Sequence, residues 1–505
     1  MKTLNLFLLG MLSVCAINAQ DISDALRYSQ DEIQGTARFR ALSGAFGALG
    51  GDMSAVSINP ASSAVFNASH VSFSLSNTDV KNETQYFNGF NKINTSKFDL
   101  NQGGAAFVFA ARNNSPWRKF SLSVAYEKTN NHENAWNAIG TNTNDDGQFS
   151  NSIASYFYDY ANGVRLDEIS LNDRFIEDAY QDIGSRFGFG HQQAFLGYQA
   201  YVLDPVTDTD DNTSYVANVA TGNFAHDYAY ISTGYNGKIS FNFATQYQDN
   251  LYLGLNLNSH FIDYDRVTSL MEDNFNGGDI EFIDFDNSLS TTGNGFSFQL
   301  GGILKVTNEF RVGATYDSPT WYTIREETTQ YINTNLAEPD VEYLPSIINI
   351  YPQYQLQTPG KLTGSLAYIF GTQGLISFDY SYKDYGNTKF KPTSDAFYAD
   401  QNNIMSNIFT AASTYRIGGE YRIKQLSLRG GYRYEESPYT NGVTVGDLNG
   451  FSVGLGYNFG NVKFDLAFDQ AQRSFETPLY NVGLIETASI DQTNSNVTFS
   501  LSFNL

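Results

Sequence analysis

Cysteine is all but missing: the one thiol in 505 residues is Cys15. It falls inside the opening stretch MKTLNLFLLGMLSVCAINAQ, where Lys2 precedes an apolar run from Leu4 to Val14 and small residues stand at Ala16 and Ala19. This is the pattern of a secretory leader, expected over 1–19 with cleavage near Ala19 or Gln20. The mature chain would then hold no thiol, which excludes disulfides and thiolate metal sites. Long apolar runs are missing as well. After residue 20 none reaches the roughly 18 residues of a spanning helix, which excludes a helical membrane protein. Basic residues are scarce, 30 against 53 acidic ones, for a net charge of −23. Phosphate recognition needs clustered Lys and Arg, so nucleic acid is excluded as a partner. The histidines, His70, His132, His191, His226 and His260, are scattered without metal-ligand spacing, and no G-x-S-x-G nucleophile motif occurs. We therefore expect neither a metal, nor a cofactor, nor an enzyme.

What is abundant is tyrosine, phenylalanine and glycine: 34, 39 and 43 residues respectively, with a mean hydropathy of only −0.33. From residue 68 onward the chain alternates apolar and polar side chains in pieces of about ten residues, a length that spans a hydrocarbon layer when tilted. At the C-terminus Val497, Phe499, Leu501, Phe503 and Leu505 share one face, and Thr498, Ser500, Ser502 and Asn504 the other. Fourteen such segments can be counted, the first at 68–78 and the last at 495–505. Short connections at 249–250, 307–308, 371–373, 424–425 and 460–461 alternate with long ones at 79–101, 131–236, 265–293, 332–359, 387–410 and 475–494. Strict alternation of short and long puts all tight turns at one end and all loops at the other. That asymmetry belongs to an outer-membrane barrel and not to a soluble sandwich. The faces agree: Tyr415, Ile417, Tyr421 and Ile423 oppose Arg416, Glu420 and Arg422, and Leu426, Leu428 and Tyr432 oppose Arg429 and Arg433. A charge on the lipid face at mid-depth costs roughly 2–4 kcal/mol, so the charged face must look inward.

Ahead of the strands, Gly35 to Ala64 is a glycine-punctuated apolar segment containing Phe39, Leu42, Phe46 and Leu49. It reads as short helical turns ending in Asn59-Pro60-Ala61, where Asn caps a helix and Pro fits its first position. A fourteen-strand barrel is too wide for wall side chains to fill, so a plug is required. The expected organisation is a leader over 1–19, an N-terminal helical hatch over 20–66, and an all-β, antiparallel transmembrane barrel over 67–505. The barrel carries a long external loop at 131–236. Within that loop Asp173, Phe175, Ile176, Ala179, Tyr180 and Ile183 predict one capped helix ending at Gly184.

The Gly35 to Ala64 stretch, Asn59-Pro60-Ala61, Val312-Gly-Ala-Thr-Tyr-Asp-Ser318, Thr358-Pro359 and Leu428-Arg-Gly-Gly-Tyr-Arg-Tyr-Glu-Glu-Ser-Pro438 together resemble the outer-membrane long-chain fatty-acid and hydrophobic-compound transporters of the FadL and TodX type. The resemblance implies passive uptake of a hydrophobic or amphipathic small molecule through a plugged monomeric barrel. It also implies a kinked third strand beside a lateral exit, but Ser121 to Thr129 carries no Gly or Pro to show one. Expected ligand or hatch residues are Phe39, Leu42, Phe46, Leu49, Asn59, Pro60 and Ala61. A carboxylate head would have Arg416, Arg429 or Arg433 in the lumen, with a purely structural network involving Glu420, Asp465 and Asp469 as the competing account. Outer-membrane lipid and the outer-membrane assembly machinery are the other expected partners. The alternative function is a protein-interaction or secretion-accessory barrel, or a haem-binding receptor.

Overall fold

The computed structural model describes residues 22–111 and 115–505, so the expected leader over 1–19, with Cys15, lies outside the described residues. Fourteen strands form the wall: β1 (His70–Tyr86), β2 (Gly89–Ala110), β3 (Trp117–Asn131), β4 (Phe224–Tyr247), β5 (Leu251–Asp273), β6 (Phe282–Lys305), β7 (Phe310–Asp317), β8 (Lys361–Phe370), β9 (Gly374–Asp384), β10 (Ala411–Ile423), β11 (Leu426–Glu435), β12 (Leu448–Asn458), β13 (Val462–Pro478) and β14 (Thr487–Asn504). Each pairs antiparallel with its neighbours, and β14 returns to pair with β1 from His70↔Asn504 to Gln85↔Ser489, which closes the cylinder. Side chains divide as the alternation requires. Phe451, Val453, Leu455 and Tyr457 are exposed on the outside, whereas Ser452, Asp465 and Thr498 are buried inside.

Several segments expected as loops are strand. Residues 79–101 continue β1 and β2 into one long hairpin turning at Phe87 and Asn88, and 265–293 and 475–494 do the same for β5–β6 and β13–β14. Their polar faces hide them from a search for apolar alternation, because above the lipid both faces of a strand are free to be polar. The segment expected as one strand over 309–331 is broken at Ser318-Pro319-Thr320 and resumes as Trp321–Thr334. Opposite it, Tyr354–Gln357 is separated from β8 by Thr358-Pro359-Gly360. Proline lacks the N–H a ladder needs, so two prolines at one level interrupt the wall there.

The third strand is interrupted too. Its ladder with β2 stops at Gln102↔Glu127, and its register with β4 slips between Lys128 and Asn130 before the chain resumes as Asn134–Asn142. Above Gln102, β2 keeps backbone pairing only with β1. Side chains cross the slit instead: Lys128 Nζ lies 3.0 Å from Asp99, and Lys97 pairs with Glu133. No Gly or Pro marks this bulge, which is why it is invisible in the sequence.

Residues 143–223 hold three α-helices where one was expected, α4 (Ala154–Ala161), α5 (Ile176–Phe187) and α6 (Phe189–Gln199), which follow three short helices near the N-terminus. The α5 helix begins one residue after Phe175 and runs through Gly184, where a Cβ would strike the Gln192 side chain of α6 at 2.1 Å. Glycine at that point serves close helix packing and does not end the helix. These helices bury Phe157, Ile169, Tyr180, Ile183 and Phe195 against Leu270, Phe285 and Ile332 of the strand ends, forming a folded roof over one mouth of the barrel.

Candidate functional site

Inside the barrel, α1 (Ile22–Arg27), α2 (Ala37–Ala41), α3 (Ala55–Ile58) and a 3-10 turn (Pro60–Val65) make the plug. Phe39, Leu42, Phe46 and Leu49 are at most 3 % exposed and pack on one another and on Ala367, Leu375 and Ala467 of the wall. They form the plug's own core, because large apolar side chains inside a polar lumen escape water only by burying one another and the apolar wall residues beside them. Asn59 accepts from the Ala61 N–H at 3.1 Å, capping the turn that Pro60 opens, and donates from Nδ2 to Gly47 O (2.7 Å) and to Gly302 O of β6 (3.0 Å). It thus joins both halves of the plug to the wall.

Polar contacts fasten the plug around the whole circumference. Arg40 is 1 % exposed and holds Asp469 of β13 through two bonds of 2.7 and 2.9 Å. The N–H groups of Phe46 and Gly47 donate to Asp379 of β9, and Asn256 of β5 donates to Val56 O. Arg38 reaches Glu420 of β10 at 2.9 Å. The wall meets this backbone with glycine: a Cβ at Gly301 would stand 2.1 Å from Asn59 Oδ1, and one at Gly313 2.3 Å from Gly47 O.

Between plug and roof lies a cavity of about 1410 Å³. This exceeds the usual ligand pocket of roughly 300–1,000 Å³. Trp136, Tyr230 and Tyr264 line its wall, and Tyr156, Tyr160 and Phe189 enter from the roof. Burial holds the Tyr156 phenol well above its usual range, and its hydroxyl donates to Gln193 at 3.0 Å. The side chains the roof offers to the cavity here, Tyr156, Tyr160 and Phe189, are aromatic and uncharged. The lower wall is cationic. Although the chain is acidic overall, the described lining counts eight Arg and Lys against six Asp and Glu, with Arg416, Arg433, Arg473, Lys361 and Lys383 grouped on the β8–β13 side.

The three expected lumen arginines part company here. Arg429 does not line the cavity; it is 5 % exposed and bridges Glu420 (2.7 Å) and Asp465 (2.6 Å), the structural network anticipated as the competing account. Arg416 and Arg433 do line the cavity and sit directly opposite each other on β10 and β11. Arg433 faces Glu435 at 3.6 Å, while Arg416 leaves its Nε without a hydrogen-bond partner. Asp469, expected in the arginine network of the wall, is taken by Arg40 of the plug. Sequence reasoning missed Lys361, Lys383, Arg473 and the aromatic roof. Arg473 shows its signal, a charge at an inward position of an alternating strand, but the two lysines stand at strand ends where inward and outward are undefined.

The plug segment Gln30–Gln34 lies between this cavity and a smaller one of about 110 Å³ beneath it, lining both. Phe39 reaches the lower one.

A family model described as outer membrane protein transport protein (OMPP1/FadL/TodX) matches residues 199–504. Among solved structures, a Pseudomonas aeruginosa FadL homologue is similar at 12 % identity and TM-score 0.54, covering 94 % of this chain and 99 % of that one. The P. putida toluene transporter TodX is similar at 12 % identity and TM-score 0.50, over 94 % and 99 % of the two chains. No curated protein sequence matches the chain.

Proposed function

The chain belongs to the OMPP1/FadL/TodX family of outer membrane transport proteins, and from that premise we propose that it admits an amphipathic small molecule, fatty-acid-like in carrying an apolar chain and an anionic head, by passive uptake through the plugged barrel. The observation that carries this reading is the cavity between roof and plug, apolar and aromatic above and cationic below. Such a gradient orients an amphiphile head-down, with its chain against Tyr156, Tyr160 and Phe189 and its head near Arg416 and Arg433. An apolar ligand alone would leave the unpartnered Nε of Arg416 unsatisfied, and a buried polar group without a hydrogen bond is costly. The hatch side chains Phe39, Leu42, Phe46 and Leu49 would meet the ligand only after the plug rearranges, since they are buried beneath the cavity floor. The slit between β2 and β3, closed by Lys128–Asp99 and Lys97–Glu133 in place of backbone bonds, would part without loss of a backbone ladder.

Trp136 makes the reading testable, because Trp117 and Trp321 are exposed on the barrel and only Trp136 lines the cavity. In a Trp117→Phe/Trp321→Phe variant held in lipid nanodiscs, bromine-labelled dodecanoate should quench the remaining fluorescence saturably. Absence of saturable quenching, together with a protein partner that stays bound through purification, would replace this reading with an interaction role.

A further inference from the structure

Two like-charged pairs face one another across adjacent strands of the lower wall. Lys361 of β8 lies opposite Lys383 of β9, and Arg416 of β10 opposite Arg433 of β11. Like charges directly opposite in a ladder destabilise it unless an anion stands between them. For the lysines that anion comes from the plug. Asp31 Oδ2 lies 3.2 Å from Lys361 Nζ and 3.3 Å from Lys383 Nζ, Lys383 also donates to Ser29 O, and Asp317 completes the Lys361 environment at 3.1 Å. Half of the Asp31 side chain nevertheless remains open to the cavity. Arg416, which lines both cavities with these lysines, has its Nε unsatisfied.

Asp31 belongs to the segment dividing the two cavities, and that segment has a second tether on the opposite side. The Glu32 N–H donates to Thr129 O at 3.0 Å, and the Asn131 N–H donates to the Glu32 carboxylate at 3.1 Å. Both partners lie on β3 just above the point where its ladder with β2 ends. The segment is therefore a crossbar from the interrupted wall at β3 to the paired lysines of β8 and β9, held at the lysine end by ionic contacts alone plus one bond to a carbonyl.

We propose that Lys361 and Lys383, with Arg416 beside them, are a binding site for the anionic oxygen head group of an amphiphile, and that the plug's own Asp31 fills this site until the amphiphile displaces it. The inference rests on the reading of the cavity as the ligand compartment and adds to it an exchange: one carboxylate leaves the lysines as another oxyanion arrives. No covalent bond is made or broken, and the lysines keep an anionic partner throughout. Displacement frees one end of the crossbar, and the floor between the cavities of about 1410 and 110 Å³ loses that support. A neutral amphiphile has no means of doing this.

The experiment uses the full chain in the single-tryptophan background, in nanodiscs, with three bromine-labelled probes: dodecanoate, dodecyl phosphate and dodecanol. Asp31→Asn removes the resident competitor while keeping its size. It should tighten binding of the two anions by roughly five- to tenfold, the low end of coupling between competing sites, and leave dodecanol unchanged. Lys361→Gln/Lys383→Gln should weaken both anions and abolish their advantage over dodecanol. A larger gain for the phosphate than for the carboxylate assigns the site to phosphorylated amphiphiles, and the reverse assigns it to carboxylates. If all three probes quench Trp136 but Asp31→Asn leaves anion binding unchanged, weakens it, or shifts dodecanol equally, the exchange is wrong and the compartment reading stands. If no probe quenches, both fall together. Heat-modifiable migration of each variant confirms that the barrel has folded.

Discussion

Arg416 and Arg429 sit on neighbouring strands and face the same lumen, yet their surroundings assign them opposite tasks. Arg429 is enclosed with Glu420, which is 1 % exposed and also receives Arg38 of the plug. Removing one partner of a buried pair strands the other, so Arg429→Gln should destabilise the folded barrel by about 3–5 kcal/mol. A lowered midpoint of heat modification would show it, whereas an unchanged midpoint would mean the network carries little. Arg416→Gln removes a charge whose Nε has no partner to lose. The midpoint should hold while binding of dodecanoate weakens. Asn59 is a third case: its cap, its apposition to Pro60 and its place before the strands were legible in the sequence, but its two bonds to Gly47 and Gly302 were not. A cap is a local event three residues long, while a bond to residue 302 exists only once the cylinder has closed around the plug.

At the scale of elements, the plug and the wall were made for each other at glycine. Gly301 and Gly313 leave room for Asn59 and for the Gly47 carbonyl. In the sequence they are glycines in a strand, which signal a bulge or a close approach without saying to what. Gly301→Ala should push Asn59 off its seat. Asn59→Ala removes a cap worth about 0.5–2 kcal/mol. Both should therefore give brief flickering openings in planar bilayers, and deletion of 36–58 should give steady conductance through a lumen of this width. If the intact protein conducts as well as the deletion, the plug does not seal. The roof helices were only partly legible. Ile176, Ala179, Tyr180 and Ile183 show a helical stripe that α5 presents to the core, but α6 buries residues on all sides, Gln192 and Gln193 among them, and so displays no stripe to find. The bulge in β3 left no trace at all. Its backbone is stabilised by Glu32 of the plug, a partner nearly a hundred residues away.

For the whole molecule, closure is the condition on which everything else depends. β14 pairs with both β13 and β1, and the chain end is secured by Leu505 N–H donating to Ser69 O. Removing 496–505 would leave two unpaired edges in hydrocarbon, where each unsatisfied group costs several kcal/mol. It would also remove the alternating Phe499, Leu501, Phe503 and Leu505 expected to address the assembly machinery. Folded, heat-modifiable protein from this truncation would contradict the argument. Orientation is checked separately. Tags near Asp145, Asn212 and Asn402 should be labelled on intact cells and a tag at Asn461 should not, because the first three lie at the long-loop end and the last in a short turn.

The sequence by itself determined the class of this protein: a fourteen-strand barrel, the lipid-facing side of its most regular strands, and the segment that fills it. Those properties follow from period-two alternation and turn length, which act over ten residues and are written in consecutive positions. The tertiary structure alone decided that segments read as loops continue as long hairpins, that 143–223 folds into a roof, and that Arg416 faces a cavity while Arg429 is locked in a network. It also decided that Asp31 lies between Lys361 and Lys383. Each of these depends on which residues a closed cylinder brings together across hundreds of positions. Outside the lipid, moreover, water imposes no alternation that would record the outcome in the chain.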